Sequence, residues 1–249
     1  MTRTDLGRLG LIAAAVLAGQ LCVGWSNDAI DAPRDRTAGR TDKPLSIGLL
    51  SRRTVLAGAG LAAVLCVILS FRLGLPAALL HLVAVTSAVS YNYGLKSTWF
   101  SPVPYLVSFG LLPLMLTFAV TGSGRAPWTH LVAAALLGAA AHAGNTVGDT
   151  AADAVTGVRG LPQRLGPQRS LTAMAGLVAL AAIVLLATVL EASDVTAGRR
   201  LLAGILLLCG VLLALIGAVR RVGVPGGRGA WRLTLLAVTL VIAGFFASV

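Results

Sequence analysis

The stretch Asn27–Arg36 reads NDAIDAPRDR and places three carboxylates, Asp28, Asp31 and Asp35, directly after an apolar run. Only nine of the 249 residues are Asp or Glu, so a third of the acidic residues lie in this stretch. Residues four apart share one face of a helix, so Asp31 and Asp35 would point together if the preceding helix continues through them. Such a concentration of charge in an apolar chain indicates function.

Composition indicates an integral membrane protein. Hydrophobic residues make up 57% of the chain and charged residues 12%, about half the charged share of a soluble domain. Several apolar runs approach the ~20 residues that a membrane-spanning helix needs. The net charge of +11 is typical of Lys and Arg that collect in cytoplasmic loops, so we expect the lipid bilayer as partner and no nucleic acid.

A second carboxylate cluster repeats the spacing of the first. Asn145, Asp149 and Asp153 follow the pattern Asn-x3-Asp-x3-Asp. Asn27, Asp31 and Asp35 have the same spacing. Each cluster follows an apolar run and precedes a loop that contains Gly and Arg, which predicts two similar halves with the site between them. These halves would span about residues 1–125 and 126–249.

We predict an all-α membrane protein, with one transmembrane domain over residues 1–249 and about eight membrane helices. The predicted helices span residues 7–25, 54–71, 76–91, 103–121, 128–147, 170–190, 199–219 and 231–248. Fourteen of the twenty basic residues lie in or beside the loops on the side of the carboxylate clusters, and six lie on the other side. The positive-inside rule therefore predicts that both clusters face the cytoplasm.

The clusters suggest a metal–diphosphate site. Facing carboxylates repel each other unless cations lie between them, and oxygen ligands suit Mg²⁺, which completes its shell with water and substrate phosphates. Guanidiniums adjoin both clusters, at Arg34, Arg36, Arg159 and Arg164, and could bind the remaining phosphate charge. The predicted metal ligands are Asp28, Asp31, Asp35, Asp149 and Asp153. For any single Asp, a solvated carboxylate paired with a neighbouring Arg is the alternative.

These motifs resemble those of the UbiA superfamily of intramembrane prenyltransferases. The family's first motif, Asn-Asp-x2-Asp-x3-Asp, is matched in full from Asn27 to Asp35, and Arg36 follows it as in many members. The family's Tyr-x4-Lys is matched by Tyr91 and Lys96. Members usually have nine helices, whereas this chain begins at the helix that carries the first motif, so the bundle is expected to lack the family's usual first helix.

The second half of the chain is also similar to the family. Asn145, Asp149 and Asp153 match its second motif, with Thr146 where many members have an acidic residue. The segment Gly157–Gly166 is similar to the family's loop with Gly and Leu-Pro. The resemblance therefore covers nearly the whole chain.

The resemblance implies Mg²⁺-dependent transfer of a prenyl group from an isoprenyl diphosphate to an acceptor within the cell membrane. It assigns catalytic roles to the five aspartates and to Lys96. The implied substrate-binding residues are Asn27, Arg36, Tyr91, Asn145, Arg159 and Arg164. We expect a small aromatic acceptor, a quinone precursor.

Other functions stay open. Within the family the acceptor could be non-aromatic or phosphorylated, which extra basic residues in the pocket would favour. A degenerate, non-catalytic member or a transporter is a further alternative. The CDP-alcohol phosphotransferases also use aspartates and metal, but their Asp-x2-Asp-Gly-x2-Ala-Arg run is absent. His142 could line the pocket, although helix packing is its favoured role.

Overall fold

The computed structural model describes residues 3–41, 43–191, 195–219 and 228–248, without the side chains of 3–5, 148–152, 154–156, 228–231, 234 and 245–248. This part of the chain is helical, without strands, as predicted. Its α-helices are α1 (Arg3–Thr37), α2 (Arg52–Arg72), α3 (Leu75–Asn92), α4 (Val103–Gly110), α5 (Leu112–Thr121), α6 (Trp128–Thr156), α7 (Leu161–Leu165), α8 (Pro167–Glu191), α9 (Ala197–Val219) and α10 (Arg228–Ser248). A short 3-10 helix covers Leu95–Ser97.

All eight predicted helices are present, and one of them is broken. The helix predicted over residues 103–121 is divided into α4 and α5 at Leu111. Pro113 explains the break, because it lacks an amide hydrogen and its ring conflicts with the carbonyl of Phe109 one turn earlier.

Two helices continue past their predicted ends and carry the carboxylate motifs. The predicted ends at 25 and 147 were wrong, since α1 continues to Thr37 and α6 to Thr156. Within α1, Pro33 leaves the Ala29 carbonyl without its helical donor. The Nε of Arg52 in α2 donates to that carbonyl at 2.9 Å, so the buried oxygen stays satisfied and the helix continues.

Six helical stretches in the described part of the chain are each long and apolar enough to cross a membrane. They are Leu6–Thr37, Arg52–Arg72, Leu75–Asn92, Val103–Thr121, Pro167–Glu191 and Ala197–Val219. The helix α6 is not among these described stretches, and the described apolar part of α10 is the shorter segment Leu235–Gly244. The chain is a multi-pass membrane protein.

The helices pack so that the two motifs meet. The helix α1 packs on α2 and α3, α6 packs on α4 and α8, and α9 packs on α8 and α10. The largest core lies among α6, α8, α9 and α10, around Met174, Val178 and Val241. A smaller core joins α1, α3 and α5 around Ile12 and Met115. The motif-bearing ends of α1 and α6 line a common cavity.

Candidate active site

A cavity of about 400 Å³ is lined by α1, α3, α4 and α6. Asp31 and Asp35 of the first motif and Asp153 of the second line it together. The two motifs, more than a hundred residues apart in sequence, therefore border one space. Four further predicted residues also line the cavity: Asn27, Tyr91, Lys96 and Asn145.

One predicted carboxylate, Asp28, is not among the residues that line the cavity. Asp28 is half-buried and pairs with Lys43, whose Nζ lies 3.0 Å from its Oδ1. Lys43 itself lines the cavity, so Asp28 contacts a residue of the cavity lining. Asp149 belongs to α6, but its side chain lies outside the described residues.

The three predicted substrate-binding arginines are exposed and are not among the residues that line the cavity. Arg36 donates from Nη2 to the Leu45 carbonyl at 3.3 Å. Arg164 lies over the ring of Trp99, 4.9 Å from its centroid, and its Nε donates to the Arg159 carbonyl at 2.7 Å. Arg36 thus anchors the loop after α1, and Arg164 anchors the loop after α6.

Lys43 is a site residue that the sequence analysis missed. Its Nζ lies 2.9 Å from Asp35 Oδ2 as well as 3.0 Å from Asp28 Oδ1, and so bridges two predicted metal ligands. Burial acts to lower the pKa of Lys43, but the hydrogen bonds to Asp35 and Asp28 outweigh it, and the pKa lies above its usual value. The signal in the sequence is Gly39, which turns the chain with a φ of +67° and returns the loop to α1.

Lys96 connects the loop after α3 to the first motif. Its buried ammonium forms an ion pair with Asp31, which also pairs with Arg34 at 2.9 Å. Burial lowers the pKa of Lys96, and the bond to Asp31 opposes that shift. Lys96, to which the family resemblance assigns a catalytic role, thus contacts the first motif directly.

The loop after α6 packs closely on the loop after α3. A side chain at Gly160 would clash with the backbone oxygen of Lys96 and would reach within 2.8 Å of Ser101 Oγ. Only glycine allows this approach without a shift of one backbone. The backbone amide of Leu161 donates to Ser101 Oγ at 2.9 Å and fixes the contact.

Aromatic side chains form one wall of the cavity. The rings of Tyr91 and Tyr105 meet edge to face at 5.3 Å, and Tyr105 stacks with Phe109 at 6.3 Å. His142 lies behind this wall, 4.7 Å from the Tyr105 ring, with Nε2 3.2 Å from Ser101 Oγ. His142 is buried and does not line the cavity, in agreement with its favoured packing role.

The donor set fits Mg²⁺. Among the described side chains, no three carboxylate, imidazole or thiol groups converge on one ion position. Mg²⁺ needs only one or two carboxylates when water and substrate phosphates complete its shell. Asp28 and Asp35 already hold one cationic group between them, the ammonium of Lys43, so this pair is arranged to bind a cation.

The fold is similar to solved structures of UbiA homologues. One from Aeropyrum pernix K1 has a TM-score of 0.73 and 22% identity, over 99% of this chain and 90% of that one. Another, from Archaeoglobus fulgidus and bound to DMAPP and Mg²⁺, has a TM-score of 0.66 and 18% identity, over 94% and 88%. A digeranylgeranylglyceryl phosphate synthase structure has a TM-score of 0.64 and 18% identity, over 96% and 85%. These likenesses establish the fold.

Sequence comparison supplies the family. No curated protein sequence matches the chain at a significant level. The sequence model of the UbiA prenyltransferase family matches residues 2–228. This range includes both carboxylate motifs, Lys96 and the two loops that meet at Gly160. The chain belongs to the UbiA prenyltransferase family.

Proposed function

We propose that this protein transfers a prenyl group from an isoprenyl diphosphate to an acceptor within the membrane, with Mg²⁺ as cofactor. The observation that carries the proposal is the cavity in which Asp31 and Asp35 of α1 meet Asp153 of α6 beside Lys96. One space thus offers carboxylates for a metal, an ammonium for phosphate and an apolar wall for a prenyl chain. The Archaeoglobus homologue bound to DMAPP and Mg²⁺ supports the same ligand class here.

The proposed metal ligands are Asp28, Asp31 and Asp35 from the first motif and Asp149 and Asp153 from the second. Mg²⁺, when bound, would neutralise the diphosphate and stabilise it as a leaving group. In the first motif, Lys43 pairs with Asp28 and Lys96 pairs with Asp31, so these carboxylates already lie beside cationic groups.

The diphosphate would bind through cationic and amide groups at the same end. Lys96 lies on the cavity wall, where its ammonium can donate to a phosphate oxygen when it leaves Asp31. The amides of Asn27 and Asn145 line the cavity and would orient the diphosphate. Arg159 and Arg164 lie on the surface of the adjoining loop and would add positive charge after their side chains turn inward.

The aromatic wall would stabilise the positive charge that develops on the reacting carbon. Loss of diphosphate from an allylic chain leaves a carbocation, which the face of Tyr91 would stabilise as it does other cations. The edge contact with Tyr105 fixes the position of the Tyr91 ring. The acceptor's electron pair would then form the new carbon bond, and its proton would leave to solvent.

For the acceptor we propose a small aromatic ring, such as a quinone precursor, supported by the Tyr91, Tyr105 and Phe109 wall. A phosphorylated, non-aromatic acceptor is the second possibility. It is favoured by extra cations on the lining, Arg40 and Lys43, and by the digeranylgeranylglyceryl phosphate synthase among the similar structures.

We further propose that the protein resides in the cell membrane with the site facing the cytoplasm. The end of α1, the loop after it and the 3-10 helix after α3 carry Arg34, Arg40, Lys43 and Lys96 beside the cavity, and basic connecting segments stay on the cytoplasmic side. Labelling of single cysteines from either side of sealed vesicles tests this orientation.

The reaction is tested with purified protein in lipid nanodiscs, supplied with Mg²⁺, labelled geranylgeranyl diphosphate and a panel of acceptors. Hydroxybenzoate and dihydroxynaphthoate represent the aromatic class, and glycerol phosphates and sugar phosphates the phosphorylated class. A prenylated aromatic product supports the full proposal. A prenylated phosphate ester would instead support the phosphorylated, non-aromatic acceptor. Intact Mg²⁺-dependent binding of the diphosphate with no product from any acceptor would point to a non-catalytic member.

A further inference from the structure

Lys43 lies where a metal ion is expected. Its ammonium bridges Asp28 and Asp35 at 3.0 and 2.9 Å, and both carboxylates belong to the motif that we propose as the Mg²⁺ site. No family motif quoted above includes Lys43, and it comes from the loop after α1 rather than from a motif helix. The same side chain lines the cavity, so it belongs to the space that a diphosphate would enter.

The described segments before and after Lys43 both contact α1. The turn at Gly39 is closed by a bond from the Arg40 amide to the Asp35 carbonyl at 3.0 Å. Two residues after Lys43, the Leu45 side chain is buried against Ala29 of α1. The ammonium can therefore swing on its four-carbon chain while its Cα remains beside the site.

A lysine ammonium and a divalent ion cannot occupy the same position between two carboxylates. Mg²⁺ carries twice the charge and binds carboxylate oxygens directly, so it would displace the ammonium from Asp28 and Asp35. The released ammonium would stay beside the cavity that Lys43 lines, where a bound diphosphate would offer it negative charge. A flexible, strongly charged lysine is suited to move between these partners.

We propose that Lys43 is a tethered counter-cation: it occupies the metal position between Asp28 and Asp35 in the metal-free protein and binds the diphosphate once the metal has displaced it. This inference rests on the proposed function, since it assumes that Mg²⁺ binds these carboxylates. It assigns a substrate-binding role to a residue outside the two motifs. It also predicts opposite effects of Lys43 on the affinities for metal and for diphosphate.

The first test measures metal binding without substrate. Mn²⁺ is titrated into the full-length protein in nanodiscs, and free Mn²⁺ is followed by electron paramagnetic resonance. Lys43→Gln removes the competing ammonium and is expected to tighten Mn²⁺ binding about fivefold or more, as the loss of one competing ion pair allows. Arg53→Gln is the matched control, because it removes an exposed positive charge at the start of α2, and its affinity should stay within about twofold of wild type.

The second test measures diphosphate binding at saturating Mg²⁺, with the unreactive geranylgeranyl thiolodiphosphate as probe. Lys43→Gln is expected to bind this probe about fivefold or more weakly, and Lys43→Arg, which keeps the charge, should restore most of the affinity. Mn²⁺ binding that is unchanged or weaker in Lys43→Gln would overturn the inference and make Lys43 a structural contact. If neither wild type nor Lys43→Gln binds Mn²⁺, the proposed metal site itself fails, and the inference fails with it.

Discussion

Lys96 pairs directly with Asp31 in the lining of the cavity and thereby joins the loop after α3 to the first carboxylate motif on α1. The two residues are 65 positions apart, and both are buried. A buried ion pair seldom adds much stability, because desolvation offsets the attraction between the charges. Its position in a cavity shared with the second motif supports the ligand-binding role that we propose for the pair.

The role of Asp31 is tested by Asp31→Asn, which keeps the size of the side chain and removes its charge. We expect prenyl transfer to fall about 100-fold or more, as for loss of a central electrostatic group in a catalytic site. Turnover of labelled prenyl diphosphate measures the effect. Glu191→Gln is the control, because Glu191 is exposed at the far end of α8 and its loss should leave turnover unchanged. Equal turnover in Asp31→Asn and wild type would remove Asp31 from the metal site.

Lys96→Met keeps the apolar length of the side chain and removes its ammonium. Diphosphate binding should weaken by about 10- to 150-fold, since a charge-assisted bond to phosphate contributes roughly 1.5–3 kcal/mol. Binding of geranylgeranyl thiolodiphosphate at saturating Mg²⁺ provides the measurement, and Lys96→Arg should recover part of the affinity. Unchanged binding in Lys96→Met would restrict Lys96 to a structural pair with Asp31.

Gly160→Ala tests the contact between the two loops. The added methyl group would clash with the Lys96 carbonyl and crowd Ser101 Oγ at 2.8 Å, so one loop must shift. We expect a loss of stability of about 1–3 kcal/mol, read as a lower thermal midpoint in detergent, together with reduced turnover. Gly176→Ala is the control, since no atom lies within 4 Å of a Cβ at Gly176 in α8. A midpoint for Gly160→Ala equal to that of the control would contradict the packing described.

Arg52→Met tests how α1 continues through Pro33. The Ala29 carbonyl would lose the donor that replaces its helical partner, and an unsatisfied buried carbonyl costs about 1–3 kcal/mol. Thermal unfolding in detergent measures the loss, and Arg53→Met provides a neighbour of the same type. If both variants unfold at the same temperature, the Arg52 bond does not support the end of α1.

Most of the bundle and the two motifs could be predicted from the sequence, because apolar runs and the Asn-x3-Asp-x3-Asp spacing are local signals. The ends of α1 and α6 could not. The polar residues after positions 25 and 147 are typical of loops. The hydrogen bond that permits Pro33 inside α1 comes from Arg52, nineteen positions later in the chain. Helical continuation is therefore a tertiary effect here.

The sequence allowed the prediction that the two motifs meet at one site, but it did not reveal several residues in and beside the cavity. Lys43 reaches Asp35 only because the chain turns at Gly39 and Leu45 is buried. Gly160 and Ser101 lie far apart in sequence and have no shared spacing pattern. The exposed positions of Arg159 and Arg164 likewise depend on contacts such as that with Trp99. Local patterns thus predicted the proposed metal ligands, and nonlocal contacts decide which cations lie beside them.

The central claim is that both carboxylate motifs bind one metal–diphosphate unit. The most direct measurement is binding of geranylgeranyl thiolodiphosphate to the protein in nanodiscs, with Mg²⁺ and with EDTA, for wild type, Asp35→Asn, Asp153→Asn and the double variant. We expect EDTA-sensitive binding in wild type, a large loss in each single variant, and little further loss in the double variant, because residues that act on one ligand are non-additive. Binding that EDTA does not reduce, or that remains in the double variant, would contradict the claim that both motifs bind one metal–diphosphate unit.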